Sequence, residues 1–476
     1  MVEQEALQAL GGFGEWIWGD DAETTVFAQA FGDGKTLIFR FVVDNTQPES
    51  LATRVVNYFH DVTTIDTRAL FLDWASMRTE IWSAVATVWA ECSDEPTVED
   101  PEAIIDIYET KPMNDTPPQI MWRICHEADL FNNYVSLLLP PDQISVKRPL
   151  NTVDFKSLIR KTQLGGRGCT TLVHMPSSPQ IRFVFKGIDF RTFLFGHESG
   201  HIQEEVKIFY QSMELVCNMP PHRNIMSPAQ TLVTICKEGD DRPLVCGSLY
   251  PFIPKGTLAS NIEHNNQYGR RIRLSQKVKW CYQMAAAVAH THLVAHIYHM
   301  DIKPGNFLLD EESNLVLIDW EQSDAPVTTV APEIDGTWDV EEIPGEGQNT
   351  TLRYTKYTGP ERRNMPITTP GTHGWNVWNV FLEWGKQCPR ALELAEVFSL
   401  GHSMWMLLRQ PDLDKFDDIT CTEDVAEDWE SSEDIPEHWK RVVEDCLHKD
   451  PNKRIGLREL VSFWDSERQA MYERNT

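Results

Sequence analysis

The stretch "YHMDIKPGNFLLD", residues 298–310, sets His299, Asp301, Lys303 and Asn306 close together and then runs into apolar residues. The apolar tail reads as a short strand, and the polar residues as the loop that feeds it. A second apolar run follows at once, "NLVLIDWEQ" (314–322), and delivers Asp319 at its end. Two carboxylates, a cation and an amide then converge. Phosphoryl transfer needs such a set, because a metal ion must be held against nucleotide phosphates while a separate carboxylate orients the attacking hydroxyl and accepts its proton. Asp301 suits the second role; Asn306 and Asp319 suit the first. Taken alone, the H-x-D-x-x-x-x-N spacing is a weak signal, since a polar helix-to-strand turn presents the same residue types.

The 476-residue chain is long enough for two or three compact units. Lys and Arg total 43 against 71 for Asp and Glu, a formal charge of −28, and such a surface repels nucleic acid and anionic lipid. More than half of the acidic excess lies in the first 150 residues, outside the region that carries the motifs. The ten cysteines are scattered without a C-x-x-C pair, which argues against a zinc site or a disulfide framework and for a reducing compartment. The first residues lack a basic and apolar leader pattern, and no later run has the length of a membrane span. The sequence therefore predicts a soluble intracellular protein, cytoplasmic or nuclear.

Residues 1–150 are expected to form an acidic domain of mixed α/β character. "TTVFAQAFGDGKTLIFRFVVD" reads as two strands about the Gly32–Lys35 turn, and "TRALFLDWASMRTEIWSAVATVWAEC" as a helix whose Trp74, Trp82 and Trp89 serve core packing. The Pro-marked stretch near 137–151 reads as a linker. Residues 152–254 are rich in strand signals with one helix, and residues 255–470 are mainly helical. The acidic stretches Asp335 to Glu346 and Asp412 to Glu437 read as solvated insertions.

Several further segments occur in a fixed order around the opening stretch. "LGGRGCTTLV" contains Gly166 and Gly168, "FVFKG" contains Lys186, and "EEVKIF" contains Glu204 and Glu205. "HRNIM" (222–226) and "PFIPKGTL" follow, and after the opening stretch come "YTGPE" (357–361), "AEVFSLGHSMWMLL" and "CLHKDPNKRIGLREL". Across roughly residues 155–470 this order resembles the eukaryotic protein kinase family, and the overall pattern is similar to uncharacterised fungal kinase-like proteins. The resemblance implies an α+β, two-lobed kinase fold, a β-rich first lobe and a helical second one, that clamps ATP with Mg²⁺. In it Gly166 and Gly168 approach the phosphates, Lys186 contacts them and pairs with Glu205, and Glu204 is a credible substitute. It further implies Asp301 as the catalytic carboxylate, Asn306 and Asp319 as metal ligands, and a Glu361–Arg454 pair. Lys303 is typical of the members that phosphorylate Ser and Thr of protein substrates.

Some positions depart from the family pattern. Thr171 stands at the third glycine position, Met300 replaces an arginine that binds a phosphorylated activation loop, Trp320 and Glu321 replace Phe and Gly, and Glu396 replaces an aspartate. Two other readings follow. One is a pseudokinase that binds nucleotide or a partner without transfer. The other is a small-molecule phosphotransferase of the aminoglycoside and choline kinase type, which shares the His-x-Asp and Ile-Asp-Trp segments. The acidic first 150 residues are open to a basic partner.

Overall fold

Along Lys35–Phe41 the buried residues Leu37, Phe39 and Phe41 alternate with half-buried neighbours, the period of a strand resting one face on a core. In the computed structural model this is β3 of a five-stranded sheet. Its order is β1 (Gly12–Trp18), β2 (Thr25–Gly32), β3, β4 (Ala103–Glu109) and β5 (Ile120–His126). The structure describes residues 12–18, 25–32, 35–44, 46–61, 67–100, 102–111, 118–165, 170–198, 200, 202–237, 239–322, 328–344, 350–359, 381–416, 419, 425 and 427–474. Strands β3 and β4 run parallel, and helices α1 (Leu51–Asp61) and α2 (Thr67–Cys92) supply the crossover that parallel strands require. Val55, Val85 and Val88 of the helices pack with Leu37 and Phe39, and Trp82 and Trp89 are buried there, as the sequence predicted. Asp106 of β4 is fully buried in register between Arg40 and Arg123, and both guanidinium groups bond it, at 2.7 and 3.1 Å. That pairing compensates a charge that could not otherwise be buried.

A second, six-stranded sheet has the order β6 (Asn151–Asp154), β10 (Thr231–Lys237), β11 (Asp240–Pro251), β9 (Ser178–Gly187), β8 (Thr170–Met175) and β7 (Ile159–Gly165). Gly187 lies where β9 and β11 approach so closely that a Cβ would sit 2.2 Å from the Cys246 carbonyl oxygen. Only a glycine fits after Lys186. Helices α3 (Ala128–Ser136), α4 (Phe190–Glu198) and α5 (Ile202–Asn218) accompany this sheet in the chain. The expected linker at 137–151 is instead tied to the sheet. Leu139 N–H donates to the Tyr210 hydroxyl at 2.8 Å, Val245 N–H donates to the Leu139 carbonyl, and β6 pairs parallel to β10.

The chain divides into two compact units, Met1–Tyr210 with Ala229–Phe252, and Gln211–Pro228 with Ile253–Thr476. Both sheets described so far lie in the first. The second is mainly helical, with α6 (Leu258–Gln267), α7 (Leu274–His290), α8 (Phe381–Gln387), α9 (Pro389–Arg409), α10 (Glu437–Cys446) and α11 (Leu457–Glu473). Helix α9 is buried on every face from Ala391 to Leu408, which marks it as the centre of this unit's core. Two small hairpins complete it, β12 (Phe307–Leu309) with β13 (Leu315–Leu317), and β14 (Trp338–Pro344) with β15 (Thr350–Lys356). The second hairpin corrects the reading of Asp335 to Glu346 as a solvated insertion, because Val340 and Leu352 are buried in the core beneath it. The α+β architecture agrees with the expectation. Among the described residues, no helix is long and apolar enough to cross a membrane.

Tyr210 accepts from Leu139 N–H and donates to the Val245 carbonyl at 2.7 Å, both inside the first unit. Tyr210→Phe removes the donor to the buried Val245 carbonyl and the acceptor of the half-buried Leu139 N–H, and is expected to cost about 1–3 kcal/mol. Urea denaturation checks this, as a lower midpoint at unchanged slope.

Candidate active site

The loop before β12 is built by local sequence. Pro304 opens a single 3₁₀ turn, Pro304–Asn306, and Asn306 N–H donates to the Lys303 carbonyl. Asp310 then closes the β12–β13 turn, accepting from the Asn314 main chain and side chain at 2.6 and 2.9 Å. The "HRN" turn straps onto this hairpin. Asn224 Nδ2 donates to the Leu315 carbonyl at 2.7 Å, and Met226 and Leu317 complete the strap through main-chain bonds.

Asp301, Lys303 and Asn306 come together as the sequence predicted. Asp301 Oδ2 accepts from Asn306 Nδ2 at 2.7 Å and faces Lys303 Nζ at 2.8 Å. The same amide nitrogen donates to the Asp301 carbonyl at 2.8 Å, which fixes the amide's orientation and leaves its oxygen on the other side. Asp301 Oδ1 is buried and, among the described residues, has no hydrogen-bond partner. A carboxylate oxygen in that state is an acceptor open to a donor.

His299 is fixed by both ring nitrogens. Its Nδ1 accepts from Asp301 N–H at 3.3 Å, and Nε2 lies 2.8 Å from the Ile318 carbonyl, so the hydrogen-bond network assigns the proton to Nε2. The ring meets Trp320 edge-on at 4.5 Å, so the tryptophan packs against the loop. Asp319, between Ile318 and Trp320, is half-buried and held at φ +73°, and Met300 at φ +76°. Non-glycine residues adopt that region at a cost, and two such residues flanking the carboxylates mark a backbone held for a purpose.

Glu396 of α9 anchors the loop from below. Its Oε1 accepts from His299 and Met300 N–H at 2.7 and 2.5 Å, and its Oε2 lies 2.6 Å from His292 Nε2. The side chain is 1 % exposed. Burial pushes this carboxyl upward, but the His292 charge, its hydrogen bond and the Met300 N–H together outweigh burial and hold it below the usual glutamate range. Sequence reading identified Glu396 and missed His292, which enters through a π-helical turn, Thr291–Ala295, at the end of α7.

Arg454 corrects the reading of the segment after Asp319. Its guanidinium, with no exposed surface, binds Glu333 in a two-point pair at 2.5 and 2.9 Å, bonds the His448 and Leu394 carbonyls, and lies over the Phe398 ring. Glu333, not Glu361, is its partner. The Ala-Pro-Glu triplet therefore stands at Ala331–Glu333, fourteen residues after Asp319, where the plain sequence "APE" was the overlooked signal. Thr350–Lys356, well after this triplet, belongs to β15. Thr329 Oγ1, also missed, donates to the Ile302 carbonyl at 2.8 Å and ties this short segment to the loop.

The remaining predicted residues belong to the first unit. Lys186 is half-buried in β9, opposite Thr170 and Ser248 in the register. Glu205 is half-buried in the first turn of α5, whereas exposed Glu204 is occupied by Lys207 at 3.1 Å. Of the two candidates, Glu205 is the inward one. Gly166, Gly168 and Glu361 lie outside the described residues.

Glu333→Ala leaves Arg454 buried without its counter-ion and is expected to cost about 3–5 kcal/mol, read from denaturant unfolding. For Glu396 the folded carboxyl titrates below its ordinary value near 4.5, so its stabilisation is present above that pH and lost as pH falls through the folded value. Wild-type stability is expected to drop more steeply between pH 6 and roughly pH 3 than that of Glu396→Gln, measured by unfolding across that window.

Residues 198–341 match the protein kinase domain family. The chain is 34% identical over 103 residues to the LRR receptor-like serine/threonine-protein kinase EFR of Arabidopsis thaliana, covering 19% of this chain and 9% of that protein. It is 24% identical over 272 residues to the brassinosteroid LRR receptor kinase BRI1 of Oryza sativa subsp. japonica, covering 56% and 22%. It is 37% identical over 75 residues to the CBL-interacting serine/threonine-protein kinase 24 of Arabidopsis thaliana, covering 16% of each. The alignments span less than a quarter of these relatives' lengths. The match makes residues 198–341 similar to the protein kinase domain family, and the loop geometry, the Glu396 anchor and the Glu333–Arg454 pair accord with that likeness.

Proposed function

We propose that this protein transfers the γ-phosphoryl group of ATP to serine or threonine hydroxyls of a protein substrate. The observation that carries the reading is the state of Asp301: one oxygen is held by Asn306 and Lys303, and the other is buried and, among the described residues, unbonded. The acceptor hydroxyl donates to Oδ1, which aims its oxygen at the γ-phosphorus. As the new O–P bond forms and the bond to the β-phosphate oxygen breaks, the hydroxyl proton passes to Asp301 and ADP leaves. Lys303 lies beside Asp301, and its charge favours the anionic phosphoryl group as it moves.

Asn306 and Asp319 would hold Mg²⁺, which when bound screens the phosphate charges. The fit rests on the Asn306 amide, whose nitrogen is committed to Asp301 so that its oxygen remains for a cation. Among the described residues no three His, Cys, Asp or Glu side chains gather as a metal cage. Mg²⁺ suits a site of this kind, since it takes one or two protein oxygens and completes its shell with phosphate and water. Lys186, with Glu205 as its proposed partner, and Gly166 and Gly168 are proposed to bind the ATP phosphates. The acidic residues 1–150 suit a basic protein partner. Lys303 and the short segment ending at Glu333 favour a protein acceptor over a small-molecule one.

Asp301→Asn keeps the shape of the loop and removes the proton acceptor. With Mg²⁺, γ-labelled ATP and a generic basic protein, label on Ser or Thr is expected from the wild type and is expected to fall by about 100-fold or more in the variant. Nucleotide binding in a thermal-shift assay is expected to persist. Equal labelling by both proteins would refute the role of Asp301, and ATP binding without transfer by the wild type would indicate a nucleotide-binding pseudokinase.

A further inference from the structure

The second unit carries a cavity of ≈ 370 Å³ that does not include the loop at Asp301. Its floor is a stripe of α7 at Ser275, Val278, Lys279, Tyr282, Gln283 and Ala286, the spacing of one helix face. One wall is the turn at His222 to Asn224, and the other is the last part of α11, with Arg468 and Met471.

The cations here are arranged unusually for a chain of charge −28. Arg223 is exposed, and among the described residues no group bonds its guanidinium. Lys279 is half-buried, and its ammonium group bonds the main-chain carbonyls of Glu312 and Ser313 at 3.1 and 3.0 Å, with no carboxylate at bonding distance among the described residues. Arg468 lies 4.7 Å over the Tyr282 ring and is bonded by Asp465. Burial is the main influence that pushes Lys279 down, and the Arg223 and Lys255 charges add to it against support from Asp310 and Glu312. His222 is pushed down to about 4 by burial, His290 and Arg223, so the ring is neutral near pH 7. Its Nδ1 accepts from Asn224 N–H at 3.2 Å, which leaves the proton on Nε2 as a donor.

We propose that this cavity is a binding site for a phosphomonoester carried on an apolar or aromatic body. Two cations without carboxylate partners repel each other until an anion enters, and the charge of a phosphomonoester, about −1.5 to −2, matches them better than a carboxylate does. Val278, Ala286 and Met471 supply an apolar surface for the body, and the volume lies in the range of small-ligand pockets. The ligand is either a free small phosphate or a phosphorylated side chain, and both present the same chemistry.

The test is calorimetric titration of the full chain with phenyl phosphate in saturating Mg·ADP, which separates this site from the nucleotide site. Inorganic phosphate, phenol and a phosphoserine peptide are titrated alongside. Saturable binding of phenyl phosphate, tighter than phosphate or phenol and weakened about 10-fold or more in Arg223→Ala and further in Arg223→Glu, supports the site. Arg223 is exposed, so both variants are expected to keep the wild-type melting temperature. Lys279→Met is a second variant with the same expected loss. Peptide binding with the same variant losses assigns the source to a phosphorylated protein, and its absence assigns it to a free phosphate. No saturation up to about 10 mM, or equal affinity in the wild type and both Arg223 variants, overturns the proposal. None of these outcomes depends on phosphoryl transfer.

Discussion

The buried carboxylate of Glu396 is the constraint on which the candidate site depends. It receives two successive main-chain N–H groups of the loop, from His299 and Met300, and is itself bonded to His292. Helix α9 is enclosed by the core along almost its whole length, so a loop hung from it inherits the core's rigidity. The positive φ at Met300 is sustained because those two bonds over-determine it. Asp301 is thus placed from behind, by a residue that never meets substrate.

A second charged group closes the segment after Asp319. Arg454 has every described bond directed into the interior, to Glu333 and two carbonyls, and such a group has one satisfied position. Glu333 thereby fixes the end of the segment, Thr329 fixes its middle to Ile302, and Trp320 fixes its start against His299.

The parts of the site that are local in sequence were legible, and the parts set by long-range packing were not. His299, Asp301, Lys303, Asn306 and Asp319 lie within one loop and hairpin, so spacing alone orders them. The Gly32–Lys35 turn, the helix Thr67–Cys92 and the inward Trp82 and Trp89 followed from periodicity. Glu204 and Glu205 are adjacent in sequence, and burial and the Lys207 contact separate them only in the folded chain. Glu333 declares itself only through its pairing with Arg454, which spans 121 positions. The π-turn that brings His292 to Glu396 breaks the helical period on which pattern reading relies. Likewise the prolines near 140 signal irregular backbone truly, but not that Leu139 and β6 join a sheet edge far along the chain.

Met300 shows how these features combine. An arginine at this position would carry a charge into a place that is 2 % exposed and belongs to the apolar core, and would need an anion to keep it there. Methionine fills the same space without that requirement. The work that a phosphate-bound cation would do, holding the segment against the loop, falls here to neutral packing and to bonds already inside the core. The contacts of Trp320, Thr329 and Glu333 form as the core closes, and none of them awaits a change of charge.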